Sequence, residues 1–453
     1  MESLSGETFD TVICGTGLSQ SLLALALSRS KKRILHVDSN DFYGEHEAAL
    51  SLQEADLWAH VHAAPGTAQQ GDTQPTSPGN KTNNITCGNE TTGRVPRGIA
   101  YITKDGYTPG PSSPIPPRIF QNAHIWKHPS AESQGLSFPR AYSLALAPQI
   151  IHTKSKLLSQ LVSSRAYRQV EFLAVGSFFI YETGGTSPTL SRIPSSREDV
   201  FAAQSIPARS KRTLMKFLKF VIDYDSEEQI PIWREKANTP LSEFLVDEFK
   251  LDGKLRDCVL ALTLTLDGEI TVEDGLASVN RHLTSIGFFG PGFCAVYPKW
   301  GGLSEIAQVG CRAGAVGGSI YMLNRSILVQ KLENNDDFSV KLSDEASVRT
   351  TAFISSQHTA TSAPCDKIAR LTSVINSPLQ PLFETFTEGA PTPAVAVIAF
   401  PSGCLLNESQ PALDVPVYAF VHSSDTGECP SGQCESSSLL LHVSPYPGVM
   451  MIT

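Results

Sequence analysis

The hydrophobic pattern of the opening segment changes period twice, from strand to helix and back to strand. Thr11–Cys14 is a short, apolar, β-prone run, Leu18–Ser28 carries helical spacing with Leu22, Leu25 and Ala26 on one face, and Ile34–Val37 is apolar throughout. Between the first two lies Gly15-Thr16-Gly17, a turn in which a side chain at either glycine would crowd the backbone. Asp38 ends the unit, 21 residues after Gly17, where an acid can accept hydrogen bonds from an adenosine ribose. The third glycine of the dinucleotide fingerprint, which lets the helix pack closely on the sheet, is replaced by Gln20. The pattern predicts a Rossmann-like strand–helix–strand unit and leaves open whether a dinucleotide occupies it.

Beyond Tyr43-Gly44 the pattern predicts a short helix in EHEAALSLQEADLWAH and then loses its period. Residues 59–137 are rich in Pro, Gly, Asn, Thr and Ser and are expected to form a disordered insertion, because they offer too little apolar surface to offset chain entropy. Order returns at Phe138 with a strand, a helix carrying Leu157, Leu158, Leu161 and Val162, and a further strand. Ser196 can cap a helix with Asp199 three residues on; Leu214, Phe217, Leu218, Val221 and Ile222 then follow at helical spacing. TPLSEFLVDEFKL reads as a helix with Thr239 as cap and Pro240 at its first position, and LRDCVLALTLTL as another. These Leu- and Phe-rich faces are first of all the domain's own core; an apolar cavity between the helices is the second reading.

After the acidic loop LDGEITVEDG comes a helix with Arg281, then PGFCAVYPKWGGLSEIAQVGCRAGAVGGSIYMLN, a strand–turn–helix–strand unit. Ile327–Leu332, Phe338–Leu342, Ala394–Phe400, Val415–His422 and Ser438–Val443 read as strands. The predicted class is α/β: a flavoprotein-like first domain in two parts, 1–58 and 267–453, with a mainly helical domain and its flanking strands inserted at 138–266. The second part looks truncated at its C-terminus.

Composition narrows the function. With 453 residues, 41% hydrophobic and 18% charged, the chain is expected to be globular with two or three domains, and a formal charge of −9 argues against a nucleic-acid partner held by phosphate contacts. Lys31-Lys32-Arg33 is the one compact basic run and reads as a solvated turn. The N-terminus lacks the basic and apolar regions of a signal peptide and no apolar run approaches the roughly 20 residues of a membrane span, so a cytosolic protein is expected. Nine cysteines without a CxxC pair suit reduced, buried thiols; Cys429 and Cys434 are read as flanking a loop at Gly432. The sequons at Asn80, Asn84 and Asn89 would matter only in a secreted chain. His60 and His62, and His124 and His128, have metal-like spacings in a polar segment and are read as solvated. There is no GxSxG elbow, no GKS/T phosphate loop and no HExxH. Ser19 and Ser21 are read as helix-start residues explained by capping and solvent exposure, and Glu305 and Arg312 as sharing one helix face, solvated first and a binding surface second. A flavoenzyme should also present a distal Gly-Asp pair for its cofactor, and none is found. Missing glycine and missing pair point to a flavin-type scaffold without flavin, with an FAD-dependent oxidoreductase as the alternative.

On the segments FDTVICGTGL, ILHVDSNDFYG, GSFFIYE, GLASVNRHL, FFGPGFCAVYPKWGGLSEIAQVGCRAGAVGGSIYMLN and GECPSGQCESSSLLLHVS, the sequence resembles the Rab escort protein and Rab GDP dissociation inhibitor family. The resemblance implies binding rather than catalysis. The partners would be Rab GTPases in the GDP form, their geranylgeranyl lipid and, for an escort, the Rab geranylgeranyl transferase heterodimer, with transient membrane contact and no resident cofactor. The implied Rab-facing residues are Tyr43 and Gly44 of DFYG, Arg281, and Glu305, Gln308 and Arg312. Asp267, Glu269 and Asp274 fall where the family has a mobile loop, and Gly15, Gly17 and Asp38 become a vestigial fingerprint. The long insertion and the GPGFCAVYPKWGG wording resemble a fungal-type escort protein more than a dissociation inhibitor.

Overall fold

A computed structural model describes residues 4–63, 99–102, 120–127, 135–183, 187–194, 196–203, 206–331, 337–355, 367–405 and 413–441. The predicted opening unit is β1 (Thr8–Cys14), α1 (Leu18–Arg29) and β2 (Ile34–Val37), followed by β3 (Ala49–Leu50), α2 (Leu52–His62) and β4 (Ile99–Ile102). The middle of the chain supplies β5 (Leu144–Ala145), β6 (Ile151–His152), α3 (Lys156–Ser163), β7 (Phe172–Glu182) and β8 (Thr189–Arg192). Six helices come next: α4 (Arg197–Ala202), α5 (Ala208–Ile222), α6 (Ile230–Trp233), α7 (Leu241–Phe249), α8 (Gly253–Thr263) and α9 (Val272–Ser285). The last third holds β9 (Ala295–Pro298), α10 (Leu303–Val316), β10 (Ile320–Met322), β11 (Ile327–Lys331), β12 (Phe338–Leu342), β13 (Ser347–Ser355), β14 (Ile368–Ile375), β15 (Val395–Phe400), β16 (Val417–Ser423) and β17 (Cys434–Leu441).

Two large sheets organise these elements. The first runs β10-β2-β1-β13-β12-β11-β4, with β1 parallel to both β2 and β13, as a helical crossover between β1 and β2 requires. Phe9, Val12, Ile13, Ile34 and Leu35 are fully buried in it. The second runs β14-β17-β16-β15-β7-β9-β6, with β8 added beside β7. Helices α5, α7, α8 and α9 cover one of its faces through Phe217, Phe244, Leu245, Val259 and Leu276, which pack with Val175, Phe178, Val395 and Val397 of the sheet in a single core. The helical faces are thus spent on their own core, the first of the two readings the sequence allowed.

Strand membership divides residues 267–453 between the sheets: β10 to β13 join the first, while β9 and β14 to β17 join the second. This corrects the expectation that all of 267–453 returns to the opening unit. An alternating strand sequence fixes which side chains face inward, not which sheet receives them. The expected disorder of 59–137 is corrected where the chain is described. Within it, β4 pairs with β11, and Phe120 packs edge-on against Trp58 of α2. The sequons, His128 and the residues after Leu441 lie outside the described residues. EHEAALSLQEADLWAH splits into a short 3-10 turn at Glu45–Glu47, β3 and α2, because Ser51 and Glu54 form a capping box that starts the helix at Leu52. Ser196 and Asp199 form the other expected box, on α4, whereas Thr239 caps nothing: α7 begins at Leu241, and the Thr239 hydroxyl donates to the Lys236 carbonyl.

The two elements that carry the site, α1 and α10, pack side by side through small residues. A Cβ on Gly310 would lie 3.2 Å from the Ser21 carbonyl oxygen, and one on Gly317 would lie 2.7 Å from the Ser28 hydroxyl. Ser21 is fully buried, its hydroxyl donating to the Thr16 carbonyl at 2.9 Å, which corrects its reading as a solvated helix-start residue. Gly310→Val should therefore push the helices apart and lower stability by roughly 1–3 kcal/mol. A urea midpoint equal to wild type would show that the contact tolerates a side chain.

Candidate functional site

Gly15 takes φ +97, a left-handed conformation open to glycine, and its amide donates to the Val37 carbonyl at 2.8 Å, so the turn is stitched to the end of β2. Thr16 is the hub that joins this turn to the loop after β2. Its amide and hydroxyl donate to Asp38 Oδ2 at 2.8 and 2.6 Å, and its hydroxyl accepts from the Gly44 amide at 3.0 Å. Asp38 Oδ1 accepts from the Asn40 amide at 2.8 Å and from Asn40 Nδ2 at 3.0 Å. The chain thus saturates the carboxylate that a ribose would need. Burial pushes the Asp38 carboxyl up, while these hydrogen bonds pull it down.

Gly44, at φ +100, turns the chain back across the start of α1. There Glu47 Oε2 accepts from the Leu18 amide at 2.7 Å, and Glu45 Oε2 lies 2.9 Å from where a Cβ on Gly17 would stand. Two carboxylates therefore occupy the helix N-terminus, the place where a dinucleotide puts its pyrophosphate. A phosphate entering here would meet like charge and a donor already taken. The residues present do not fit a dinucleotide cofactor.

The same loop sets Tyr43 half-buried outside this closed turn. Its ring meets Tyr321 of β10 edge-on, with centroids 6.5 Å apart. Desolvation, with Cys311 and Asp38 nearby, pushes its phenol up. Tyr321 also leans on His36 at 4.9 Å. On α10, Glu305, Gln308 and Arg312 share one face. Arg312 donates to Glu305 at 2.6 Å with its own side chain 61% exposed, and Gln308 donates to the Ser304 hydroxyl at 3.2 Å. Burial raises the Glu305 carboxyl and the Arg312 charge opposes the rise. The structure thus brings Gly15, Gly17, Asp38, Tyr43 and Gly44 together and sets Tyr43 beside Cys311, the neighbour of Arg312.

Arg281 stands apart. It is exposed on α9, where its charge acts on His152, and among the described residues no hydrogen bond or ion pair links it to Tyr43 or α10. The loop from Asp267 is anchored more firmly than a free loop. Asp267 accepts from the Thr265 hydroxyl and the Glu269 amide, Leu241 donates to the Ile270 carbonyl at 2.9 Å, and exposed Asp274 lies within α9, where its amide donates to the capping Thr271 hydroxyl. Sequence reasoning missed Thr16, Glu45, Glu47 and Tyr321. The signal for the two glutamates was present as EHE directly after the DFYG turn, but its meaning depends on the turn at Gly44.

Seven described cysteines are free, six of them buried, as the even scatter of thiols suggested. The described residues assemble two groups with metal-ligating atoms, and neither includes His60, His62 or His124: His152 with His282 and Cys294, and His422 with Glu428 and Glu435. In the first, burial drives His152 to about 4 and His282 to about 3, and the Arg281 charge adds to the cost of placing a cation beside His152.

The family sequence model described as GDP dissociation inhibitor matches residues 5–74 and 97–388, and the chain belongs to that family. The Saccharomyces cerevisiae protein named Rab proteins geranylgeranyltransferase component A is 28% identical over 430 residues, covering 93% of this chain and 60% of the relative. A crystal structure of a Rab GDI from Plasmodium falciparum superposes with a TM-score of 0.63 at 18% identity, covering 98% of this chain and 84% of that one. An oxidoreductase from Methanosarcina mazei reaches 0.52 at 12% identity, covering 96% of this chain and 79% of that one. These two structures show the flavoprotein-like α/β fold expected from the sequence. The chain spans about 60% of the length of the first curated relative.

Glu47→Ala should cost roughly 1 kcal/mol through the lost helix-terminal partner, read by chemical denaturation. His36 is fully buried, bonds through Nε2 to the Gly15 carbonyl, and burial holds it down at about 4. Its neutral form is the folded form, so its contribution is complete above about 6.5 and is lost as pH falls towards 4. His36→Asn should shrink the stability loss between about pH 7 and pH 5 by roughly 2 kcal/mol, read from urea midpoints at the two values. An unchanged loss would mean that the imidazole titrates alike in the folded and unfolded chain.

Proposed function

We propose that this chain is a Rab escort protein: it captures Rab GTPases in the GDP form, presents them to the Rab geranylgeranyl transferase heterodimer and shields the prenyl groups until delivery. The supporting observation is the closed dinucleotide turn. In a member of the GDP dissociation inhibitor family, a cradle filled by its own Glu47 and Asp38 leaves the scaffold to work through its surface, and that loop delivers Tyr43 to the surface beside α10. The chain acts by binding, as a non-catalytic accessory subunit without a cofactor.

Tyr43 and Gly44, with Glu305, Gln308 and Arg312, form the Rab-facing platform in this reading, and Arg281 contributes from α9. The exposed Arg312 guanidinium exchanges its Glu305 partner for an acidic one on the GTPase. Asp267 and Glu269 of the loop, with Asp274 in the first turn of α9, meet the bound partner in this reading. Lipid shielding falls to the helices α5 to α9, whose apolar faces are packed on one another and on the sheet, so admitting an isoprenoid requires them to separate. Each buried CH₂ repays roughly 0.8 kcal/mol of that separation. No described helix is long and apolar enough to cross a membrane. In this reading the carrier is cytosolic and touches membranes only in passing.

The test is capture of a GDP-loaded Rab and its transferase by the purified chain. Tyr43→Ala and Arg281→Ala should each weaken Rab capture about tenfold, or about 1.4 kcal/mol, with an unchanged circular dichroism spectrum. Capture of the Rab without the transferase would assign a dissociation inhibitor instead. Capture of neither at micromolar concentration would overturn the proposal, as would retention of FAD with flavin absorbance after desalting.

A further inference from the structure

Beneath the segment that leads into α10 lies a group of ionisable side chains that the binding reading does not use. His422 of β16 and Glu435 of β17 are direct cross-strand partners, so their side chains stand on the same face of the second sheet. The connection between those strands turns back at Gly427, φ +77, and brings Glu428 over them. Tyr297 of β9 closes the group, with its ring 4.5 Å from the His422 imidazole. All four residues are at most 1% exposed.

Their hydrogen bonds are incomplete in a specific way. Glu428 is well served: it accepts from the Tyr297 hydroxyl at 2.6 Å and is paired with His422 Nδ1. His422 Nε2 and Glu435 Oε2 have no partner. One donor atom from each of His422, Glu428 and Glu435 lies within 4.8 Å of the other two. Among the described residues no lysine or arginine pairs with either glutamate. Two carboxylates deep in the protein with a single imidazole leave negative charge uncompensated, and the orphaned nitrogen and oxygen are both donors to a cation.

We propose that His422, Glu428 and Glu435 form a buried site for a divalent transition-metal ion, zinc foremost. The His422 imidazole and the free Glu435 oxygen supply donors and Glu428 the balancing charge. An imidazole with carboxylates favours zinc over magnesium or calcium, which take oxygen ligands. Tyr297, hydrogen-bonded to Glu428, and the Ser437 hydroxyl, which donates to Glu435 at 3.4 Å, hold the carboxylates in place. The ion has a structural role. Trp300 donates from its amide to the Thr426 carbonyl at 2.8 Å, and Gly302, which starts α10, packs so closely on Tyr297 that an added Cβ would lie 2.7 Å from its hydroxyl. The site therefore fastens the strand connection that supports the entry to α10.

The full chain is produced in zinc-supplemented medium, dialysed and analysed for metals. The expected result is about one zinc per chain, falling at least tenfold in Glu435→Gln, which keeps the shape of the side chain and removes its charge. As a second readout, wild-type protein stripped by unfolding with a chelator and then refolded should melt at a higher temperature with zinc ions than without, and refolding with cobalt ions should give visible ligand-field bands. Folded wild-type protein that is metal-free from zinc-, manganese- and iron-supplemented cultures and shows no melting shift would overturn the proposal, as would zinc retained in full by Glu435→Gln.

Discussion

A helix that begins directly after a glycine turn leaves its first amides without partners, and whatever satisfies them decides what the end of the sheet can hold. Here the chain supplies an anionic partner for the first of them itself. Glu47 reaches back to the Leu18 amide, Thr16 ties Asp38 to Gly44, and the loop between β2 and α2 is drawn down over the turn. In a dinucleotide-binding protein the ligand supplies this anionic partner and leaves with its free energy. In this protein the partner is covalently attached, at an effective concentration no free phosphate reaches. The fold keeps the shape of a cofactor site and loses the vacancy.

That closure fixes the surface next to it. Because Gly44 must turn at the α1 N-terminus, Tyr43 is held just outside, against Tyr321 and near Cys311. The register of α10 depends in turn on α1, through Ser21 against Gly310 and Ser28 against Gly317. The placement of Glu305, Gln308 and Arg312 relative to Tyr43 therefore rests on small residues that never touch a partner. In the proposed docking reading, surface side chains supply the chemistry, and buried glycines and serines supply the geometry.

The opening unit was legible in the sequence because its signals are local: a change of period, a glycine turn and an acid at the strand end. The helical faces of α5, α7 and α8 were legible for the same reason. β13 was missed, although it is the parallel partner of β1, because SVRTTAFIS carries threonines and an arginine that dilute its alternation, and only Val348 and Thr350 show its buried side. β14 was missed likewise, with a single strongly apolar face residue, Val374, fully buried. The assignment of β14 to β17 to the second sheet was out of reach, since pairing between strands distant in sequence depends on the whole core. Of the site, the glycines, Asp38 and Tyr43 were readable, while Glu45 and Glu47 acquire a meaning only once Gly44 adopts a positive φ.

The two sheets treat buried acids in opposite ways. Asp38 receives four hydrogen bonds, two from Thr16 of the glycine turn and two from Asn40 just after it, so its charge is distributed over donors that the fold must place there anyway. Glu435 receives one weak bond from Ser437 and faces Glu428, and burial and that neighbour both push its carboxyl well above the usual range. A site of the first kind has no need of a ligand. The second kind is resolved only by a proton or a cation, and a proton leaves His422 Nε2 without a partner. The first sheet is closed by its own side chains, and the second contains, among the described residues, a place where an added ion would complete the interior.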